Sequence, residues 1–283
     1  MELTQTELER AFAEVVGRAL AEDIGSGDLT SEVLFGADDR CKAVILLKEA
    51  GVVCGLPVVS AAFRKLDQAI ELERLAGEGE LVAAAPQELV RLTGRTRAIL
   101  GAERVALNLL GRLSGIATLT RRFVEAVEGS GVAVLDTRKT TPGLRILEKY
   151  AVQIGGGVNH RFGLFDAVLV KDNHLRLAGG VAEAVRRLRS SASLPLEVEA
   201  DTHEQVEQAL GLGVERILLD NMSPSEVATA VELVAARAQL EVSGGVTLDN
   251  VRAYAETGVN AISIGALTHS ARSLDVSLEV LEP

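Results

Sequence analysis

The segment Asp136-Thr137-Arg138-Lys139-Thr140-Thr141 sets two adjacent cations just after an apolar run of strand length. An Arg fork holds a carboxylate or phosphate through two parallel hydrogen bonds, and a neighbouring Lys adds a point charge. The pair suits a small anion, although a solvated loop accounts for the same residues. Further on, Gly155-Gly156-Gly157-Val158-Asn159-His160-Arg161 joins three glycines to two donor side chains. Glycines let backbone N–H groups come close to a ligand. A flexible connection with a capping histidine is the plainer alternative. Lys171-Asp172-Asn173-His174 follows the apolar residues 165–170. Burying Lys171 without a partner is costly. It therefore meets an anion, Asp172 or a covalently bound substrate, or else forms an internal ion pair.

Acidic and glycine positions complete the set. Glu199 and Asp220 each close an apolar run. Two carboxylates on one face can hold Mg²⁺ beside a phosphate ligand or accept from sugar hydroxyls. They also suffice to pair with the cations above. Ser243-Gly244-Gly245 and Gly265-Ala266 follow the last two runs, and loops after late barrel strands often bind phosphate through backbone N–H groups. Glycines there also serve packing alone. Between residues 136 and 171 the cations are Arg138, Lys139, Arg145, Lys149, Arg161 and Lys171, and the anions only Asp136, Glu148 and Asp166. The whole chain has 29 Lys and Arg against 40 Asp and Glu, a net charge of −11. A locally basic segment in an acidic protein focuses its field on a small polyanion. The overall acidity argues against nucleic acid as a partner, because counterion-release binding needs a basic surface. His160, His174, His203 and His269 show no His-x-x-x-His spacing, so no zinc site is expected.

These residues need a scaffold, and the chain after Gly131 has a regular one. Apolar runs at 132–135, 167–170, 196–199, 217–219, 240–242 and 261–264 end in or are followed by Asp136, Lys171, Glu199, Asp220, Ser243 and Gly265. These ends recur every 21 to 35 residues, with helical segments between. Strands alternating with helices make βαβ units and a parallel sheet. A doubly wound sheet and a closed barrel both fit. The barrel is preferred, because all six ends present polar or glycine residues. A barrel builds its site from all its strand ends, a doubly wound sheet only from those at its switch point. Residues 97–128 read as a long helix with an interruption near Ser114-Gly115, able to bridge two domains. Leu100, Val105, Leu109 and Leu113 give it an apolar face. Before it lies a smaller α+β region. Thr4 or Thr6 caps a helix reaching about Leu20, strands fall within 43–47, 51–55, 70–75 and 89–92, and a helix spans 56–66.

At 283 residues the chain is long enough for two domains or one large barrel. Hydrophobic residues make up 47% and charged residues 24%, which excludes long disorder. Two cysteines, Cys41 and Cys54, cannot build a disulfide framework and read as packing residues in a reducing cytoplasm. The start Met1-Glu2-Leu3-Thr4 lacks a signal peptide's basic and apolar regions. The least charged stretch, residues 50–63, is broken by Gly51, Gly55 and Pro57 and falls short of the roughly 18 apolar residues of a membrane helix.

Taken together, Asp136-Thr137-Arg138-Lys139-Thr140, Lys149-Tyr150-Ala151-Val152, Gly155-Gly156-Gly157-Val158-Asn159-His160-Arg161, Lys171-Asp172-Asn173-His174, Leu218-Leu219-Asp220-Asn221, Ser243-Gly244-Gly245 and Gly265-Ala266-Leu267-Thr268-His269-Ser270 resemble the quinolinate phosphoribosyltransferases. These are the carboxylating nicotinate-nucleotide pyrophosphorylases. The loop from Glu22 to Thr30 and the helix Glu103-Arg104-Val105-Ala106-Leu107-Asn108 are similar to the same family, so the resemblance covers nearly the whole chain. It implies transfer of phosphoribose from phosphoribosyl pyrophosphate to quinolinate, with Mg²⁺, giving nicotinate mononucleotide, pyrophosphate and CO₂. It implies an N-terminal α+β open sandwich over residues 1–105, to which the tail 270–283 returns. It implies a parallel α/β barrel over 106–269 with about seven strands, one more than the runs found. A homodimer or a hexamer of dimers is implied, with Arg104 reaching into the neighbour's site.

By position, Arg138, His160, Arg161 and Lys171 match the quinolinate-binding residues, with Arg104 from the other copy. Lys139, Glu199 and Asp220 match residues around phosphoribosyl pyrophosphate and its metal. With Lys171 they are the expected catalytic groups, and Thr137 lies beside them. Ser243, Gly244, Gly245, Ile264, Gly265 and Ala266 match the phosphate loops. Val242 departs from the family's pattern, where a second Ser precedes Ser-Gly-Gly, and Ala200 is smaller than usual. Other readings are a Schiff-base aldolase using Lys171, a non-catalytic phosphate-binding barrel, and a transferase for nicotinate.

Overall fold

The computed structural model describes residues 4–190 and 195–282, so Met1-Glu2-Leu3 and residue 283 of the tail lie outside the described residues. The chain divides into two compact units. One contains the chain up to Arg121, Thr140–Gly156 and the chain from Leu267. Its first helix, α1 (Gln5–Ile24), starts where Thr4 accepts from the Glu7 N–H at 3.3 Å and Glu7 accepts in return from the Thr4 N–H at 2.8 Å. This reciprocal cap satisfies two of the free donors of a helix start. Phe12, Val15, Val16 and Leu20 form its buried stripe.

There follow α2 (Ser31–Leu34), β1 (Arg40–Leu47), β2 (Gly51–Val52), α3 (Leu56–Leu66), β3 (Glu71–Arg74), β4 (Leu81–Val82) and β5 (Gln87–Arg95). β1 and β5 pair antiparallel, β3 flanks β5, and the C-terminal strand β12 (Val276–Glu282) flanks β1. The start of α3 has no capping side chain of its own. Instead the N–H groups of Gly55 and Leu56 donate to the two Glu78 oxygens at 2.7 and 2.9 Å, a carboxylate favoured at the positive helix end.

α4 (Thr96–Ala126) is continuous through Ser114-Gly115, where the sequence suggested an interruption. The glycine serves close packing instead. A Cβ at Gly115 would lie 1.9 Å from the Arg272 carbonyl oxygen, and one at Gly111 2.7 Å from that of Leu274. Replacing Gly115 with Ala therefore sets a helix-propensity gain of about 1 kcal/mol against a backbone collision. The collision wins, and the net loss is about 2 kcal/mol. A urea midpoint equal to that of the unaltered protein would refute this account. α5 (Arg145–Ile154) belongs to the same unit. Its Glu148 is fully buried and accepts from Arg112 Nη2 at 2.8 Å.

The other unit comprises Arg122–Lys139 and Gly157–Ala266. It contains β6 (Ala133–Leu135), β7 (Val168–Val170), α6 (Asp172–Ala178), α7 (Val181–Arg189), β8 (Leu196–Ala200), α8 (His203–Gly211), β9 (Arg216–Asp220), α9 (Pro224–Val234), β10 (Gln239–Ser243), α10 (Val251–Ala255) and β11 (Ala261–Ser263); α11 (Ala266–His269) begins at its last residue. The strands are parallel, in the order β6-β11-β10-β9-β8-β7. The first strand pairs with the last, and the order never reverses. That is the winding of a barrel, not of a doubly wound sheet. On the free edge of β6, Val158 forms an isolated parallel bridge with Leu135. Its N–H donates to the Val134 carbonyl at 2.8 Å, and its carbonyl accepts from the Asp136 N–H at 3.2 Å. The strand missing from the sequence reading is thus reduced to one residue behind three glycines, too short to form an apolar run.

Candidate active site

Side chains alternate faces along a strand, so Glu197 and Glu199 share one face of β8, and Glu241 and Ser243 share one of β10. Thr137, Arg138, Lys139, Lys171, Glu199, Asp220, Ser243, Gly244, Gly245, Ile264, Gly265 and Ala266 lie at or just past C-terminal strand ends of the barrel unit. Arg104 belongs to the other unit, exposed on α4 with its guanidinium 3.7 Å from Glu103.

The β6 end is anchored from within. Asp136 is fully buried, and its carboxylate accepts from the His160 N–H at 2.8 Å and Asn159 Nδ2 at 2.6 Å. These charge-assisted bonds tie the glycine-rich loop to the strand. Thr137 Oγ1 accepts from the Lys139 N–H at 3.0 Å, shaping the turn that carries Arg138. Arg138 and Arg161 are both half-buried. Burial first, and then the like charge of Arg138, lowers the Arg161 pKa. Arg161 donates to the Ala167 carbonyl at 3.2 Å.

At the β7 end, Lys171 Nζ donates to Glu199 Oε2 at 2.6 Å, and the Asp172 N–H reaches Glu199 Oε1 at 3.2 Å. Of the alternatives for Lys171, the internal ion pair is present. Asp220 stands at the next strand end but one. Burial, and then the charge of Glu199, raises its pKa against the pull of Lys171 and Lys139. Two carboxylates and two ammonium groups therefore share one electrostatic neighbourhood.

The loop after β10 has little freedom. The Asn221 N–H donates to the Ser243 carbonyl at 2.9 Å, and Asn221 Nδ2 to Asp220 Oδ2 at 2.7 Å. Gly244 has φ +94°, and a Cβ there would lie 2.2 Å from Asn221 Oδ1. Both conformation and space require glycine. If this is the phosphate loop that the family resemblance implies, Gly244→Ala raises the KM for phosphoribosyl pyrophosphate at least about tenfold, given roughly 1.4 kcal/mol per decade. A KM unchanged in steady-state assays would remove this loop from the phosphate site. Val242 is fully buried, on the face opposite Ser243. Its departure from Ser therefore alters the core rather than the loop. The Ile264 N–H donates to the Leu135 carbonyl at 2.9 Å, which closes the β11 end against β6.

His160 turns into the barrel. Its Nδ1 accepts from the Arg161 N–H at 2.7 Å, while Nε2 lies 3.3 Å from Glu197 Oε2 and 3.4 Å from Glu241 Oε1. Burial opposes a charged ring, and because Nδ1 accepts, the two carboxylates act by holding the single ring proton on Nε2 rather than by adding a second. Ser263 Oγ also donates to Glu241 Oε1. In the sequence Asp136 and Asn221 stood only within motifs, with no site role, and Glu197 and Glu241 were not singled out. For Glu197 the signal was available, since it lies two residues before Glu199.

The chain matches the family models described as "Quinolinate phosphoribosyl transferase, N-terminal domain" over residues 28–114 and "C-terminal domain" over 116–279. It is 44% identical over 261 residues to a probable nicotinate-nucleotide pyrophosphorylase (carboxylating) of Bacillus subtilis, covering 92% of this chain and 90% of the relative. A relative with the same description from Synechocystis is 46% identical over 267 residues, covering 93% and 90%. Among solved structures, the nicotinate-nucleotide pyrophosphorylase of Ehrlichia chaffeensis superposes with a TM-score of 0.92 at 39% identity, covering 99% of this chain and 100% of that one. With matching models over both parts and relatives similar from end to end, the chain belongs to the quinolinate phosphoribosyltransferase family.

Proposed function

We propose that this enzyme transfers phosphoribose from phosphoribosyl pyrophosphate to quinolinate and decarboxylates the adduct to nicotinate mononucleotide, a step of de novo NAD synthesis. The observation that carries this reading is the shared electrostatic neighbourhood of Lys139, Lys171, Glu199 and Asp220 at barrel strand ends, with Arg138 next to Lys139 in the chain and within charge range of Arg161. A substrate with two carboxylates suits the guanidinium pair. The ring nitrogen attacks the anomeric carbon as its bond to pyrophosphate breaks. Glu199 and Asp220 oppose the positive charge that develops on the sugar. In the adduct the pyridinium withdraws electrons from the neighbouring carbon. CO₂ leaves, and that carbon keeps the electron pair and takes a proton. Lys171, held by Glu199, is placed for a carboxylate. The same pairing disfavours an aldolase, which needs a neutral amine as nucleophile.

Glu199 and Asp220 fit Mg²⁺ by their chemistry. They are hard oxygen donors, and burial first and the charge of Glu199 second raise the Asp220 pKa, a penalty that a cation would relieve. Bound there, the ion would neutralise charge on the departing pyrophosphate. The loops at Ser243-Gly244-Gly245 and Ile264-Gly265-Ala266 hold the sugar phosphate through backbone N–H groups. We place the reaction in the cytoplasm, on the two free and buried cysteines. Among the described residues, no helix is long and apolar enough to cross a membrane.

The enzyme works as a homodimer, or as a larger assembly of dimers, with the exposed Arg104 of one copy completing the other's acceptor site. Mixing inactive Arg104→Ala and Lys171→Ala proteins tests this. Random exchange restores about a quarter of wild-type activity, because each mixed dimer keeps one intact site. No recovery on mixing would return Arg104 to its own subunit. The reaction itself is tested by CO₂ release and nicotinate mononucleotide formation, with nicotinate as parallel acceptor. Turnover with nicotinate alone would overturn the assignment.

A further inference from the structure

The His160, Glu197 and Glu241 side chains form a buried cluster one layer inside the barrel from Glu199 and Ser243, reached by a cavity of about 330 Å³ that Arg161, Arg216 and Gln239 also line. Its donor atoms lie within 4.8 Å of one another, close enough for a metal ion. The histidine argues otherwise. A ligating imidazole offers one nitrogen to the metal and donates a proton from the other. Here Nδ1 accepts from the Arg161 N–H, so the proton belongs on Nε2, between the two carboxylates.

We propose that Glu197 and Glu241 are positioning residues for the acceptor site. They hold the His160 imidazole as a strut, and the strut fixes the backbone of Arg161 and with it the guanidinium beside Arg138. The proposal rests on the acceptor reading of Arg138 and Arg161. Every link is a hydrogen bond or close polar contact. Ser263 Oγ donates to Glu241, and Arg216 Nη1 stands 3.8 Å from its other oxygen. Glu241 and Glu197 flank Nε2, and Nδ1 receives the Arg161 N–H. From the other side Asp136 takes the His160 N–H. The loop is therefore held at consecutive residues, from the strand end and from the barrel interior. Burying two carboxylates costs more than a fold needs for packing alone. A cationic acceptor site that must be rigid gives them a use.

The test is steady-state kinetics of Glu241→Ala and Glu241→Gln beside the unaltered enzyme. Glu241→Ala raises the KM for quinolinate about tenfold or more, in line with the cost of a misplaced binding group. The KM for phosphoribosyl pyrophosphate stays within about twofold, as does kcat at saturation. Glu241→Gln keeps an oxygen acceptor and recovers most of the quinolinate affinity. A purely structural role would change both KM values together or neither, and would overturn the proposal. Should Glu241→Ala fail to fold, amide hydrogen exchange in the unaltered enzyme still decides. The Arg161 N–H is protected if it donates to the imidazole, and exchange at the rate of a free loop overturns the strut. Unaltered enzyme that turns over no quinolinate would overturn the acceptor reading and this proposal with it. Normal turnover with an unshifted Glu241→Ala would overturn the positioning role alone.

Discussion

Arg138→Ala is expected to lower kcat/KM for quinolinate by about two to three orders of magnitude while leaving the KM for phosphoribosyl pyrophosphate within about threefold. Removing one partner of a partly buried ion pair costs about 3–5 kcal/mol, and each 1.4 kcal/mol is a decade. The half-burial of Arg138 argues for the lower end. Burial first, and the like charge of Arg138 second, disfavour the charged form of Arg161. An incoming dicarboxylate relieves that penalty, so affinity for the second carboxylate depends on both cations. Arg138→Lys keeps the charge but loses the planar fork, and recovers only part of the activity. Nicotinate has one carboxylate and gains relative to quinolinate in Arg138→Ala. Competition assays with both acceptors measure that ratio. An unchanged ratio would mean that Arg138 does not read the second carboxylate.

The same residues show what could be read from sequence. Asp136-Thr137-Arg138-Lys139, Lys171, Glu199 and Asp220 were legible because each follows or closes an apolar run, and a parallel barrel turns such ends into one face. The α/β class was legible for the same reason. Val158 was not, because its strand is one bridge long and its neighbours are glycines. Gly115 was legible as unusual but misleading as a helix break, since its cause is a carbonyl of Arg272, more than 150 residues away in sequence. His160 was legible as a polar loop residue. Its contacts with Glu197 and Glu241 join three separate strand regions, and no local pattern encodes them. Asp136 read as a strand end, whereas its carboxylate holds the loop that carries His160 and Arg161.

Asp220→Asn is expected to lower kcat by about 10²–10³, the usual loss when one preorganised electrostatic group is removed from a transition state. The KM for quinolinate stays within about threefold if, as proposed, Asp220 faces the sugar rather than the acceptor. Stability should move the other way. The Asp220 pKa is raised above that of an exposed carboxyl, by burial first and the Glu199 charge second. Folding therefore favours the protonated group, and the carboxylate costs stability once pH has risen through the raised pKa. An amide removes that cost at neutral pH, so Tm holds or rises while kcat falls. Below the ordinary carboxyl pKa, both states are protonated and the Tm advantage disappears. A scaffolding residue cannot produce this pair of opposite signs, since its loss lowers Tm and activity together. Thermal melts at pH 7 and pH 3 beside single-turnover rates separate the cases. A lowered Tm with an unchanged rate would assign Asp220 to the fold and leave Glu199 as the carboxylate facing the sugar.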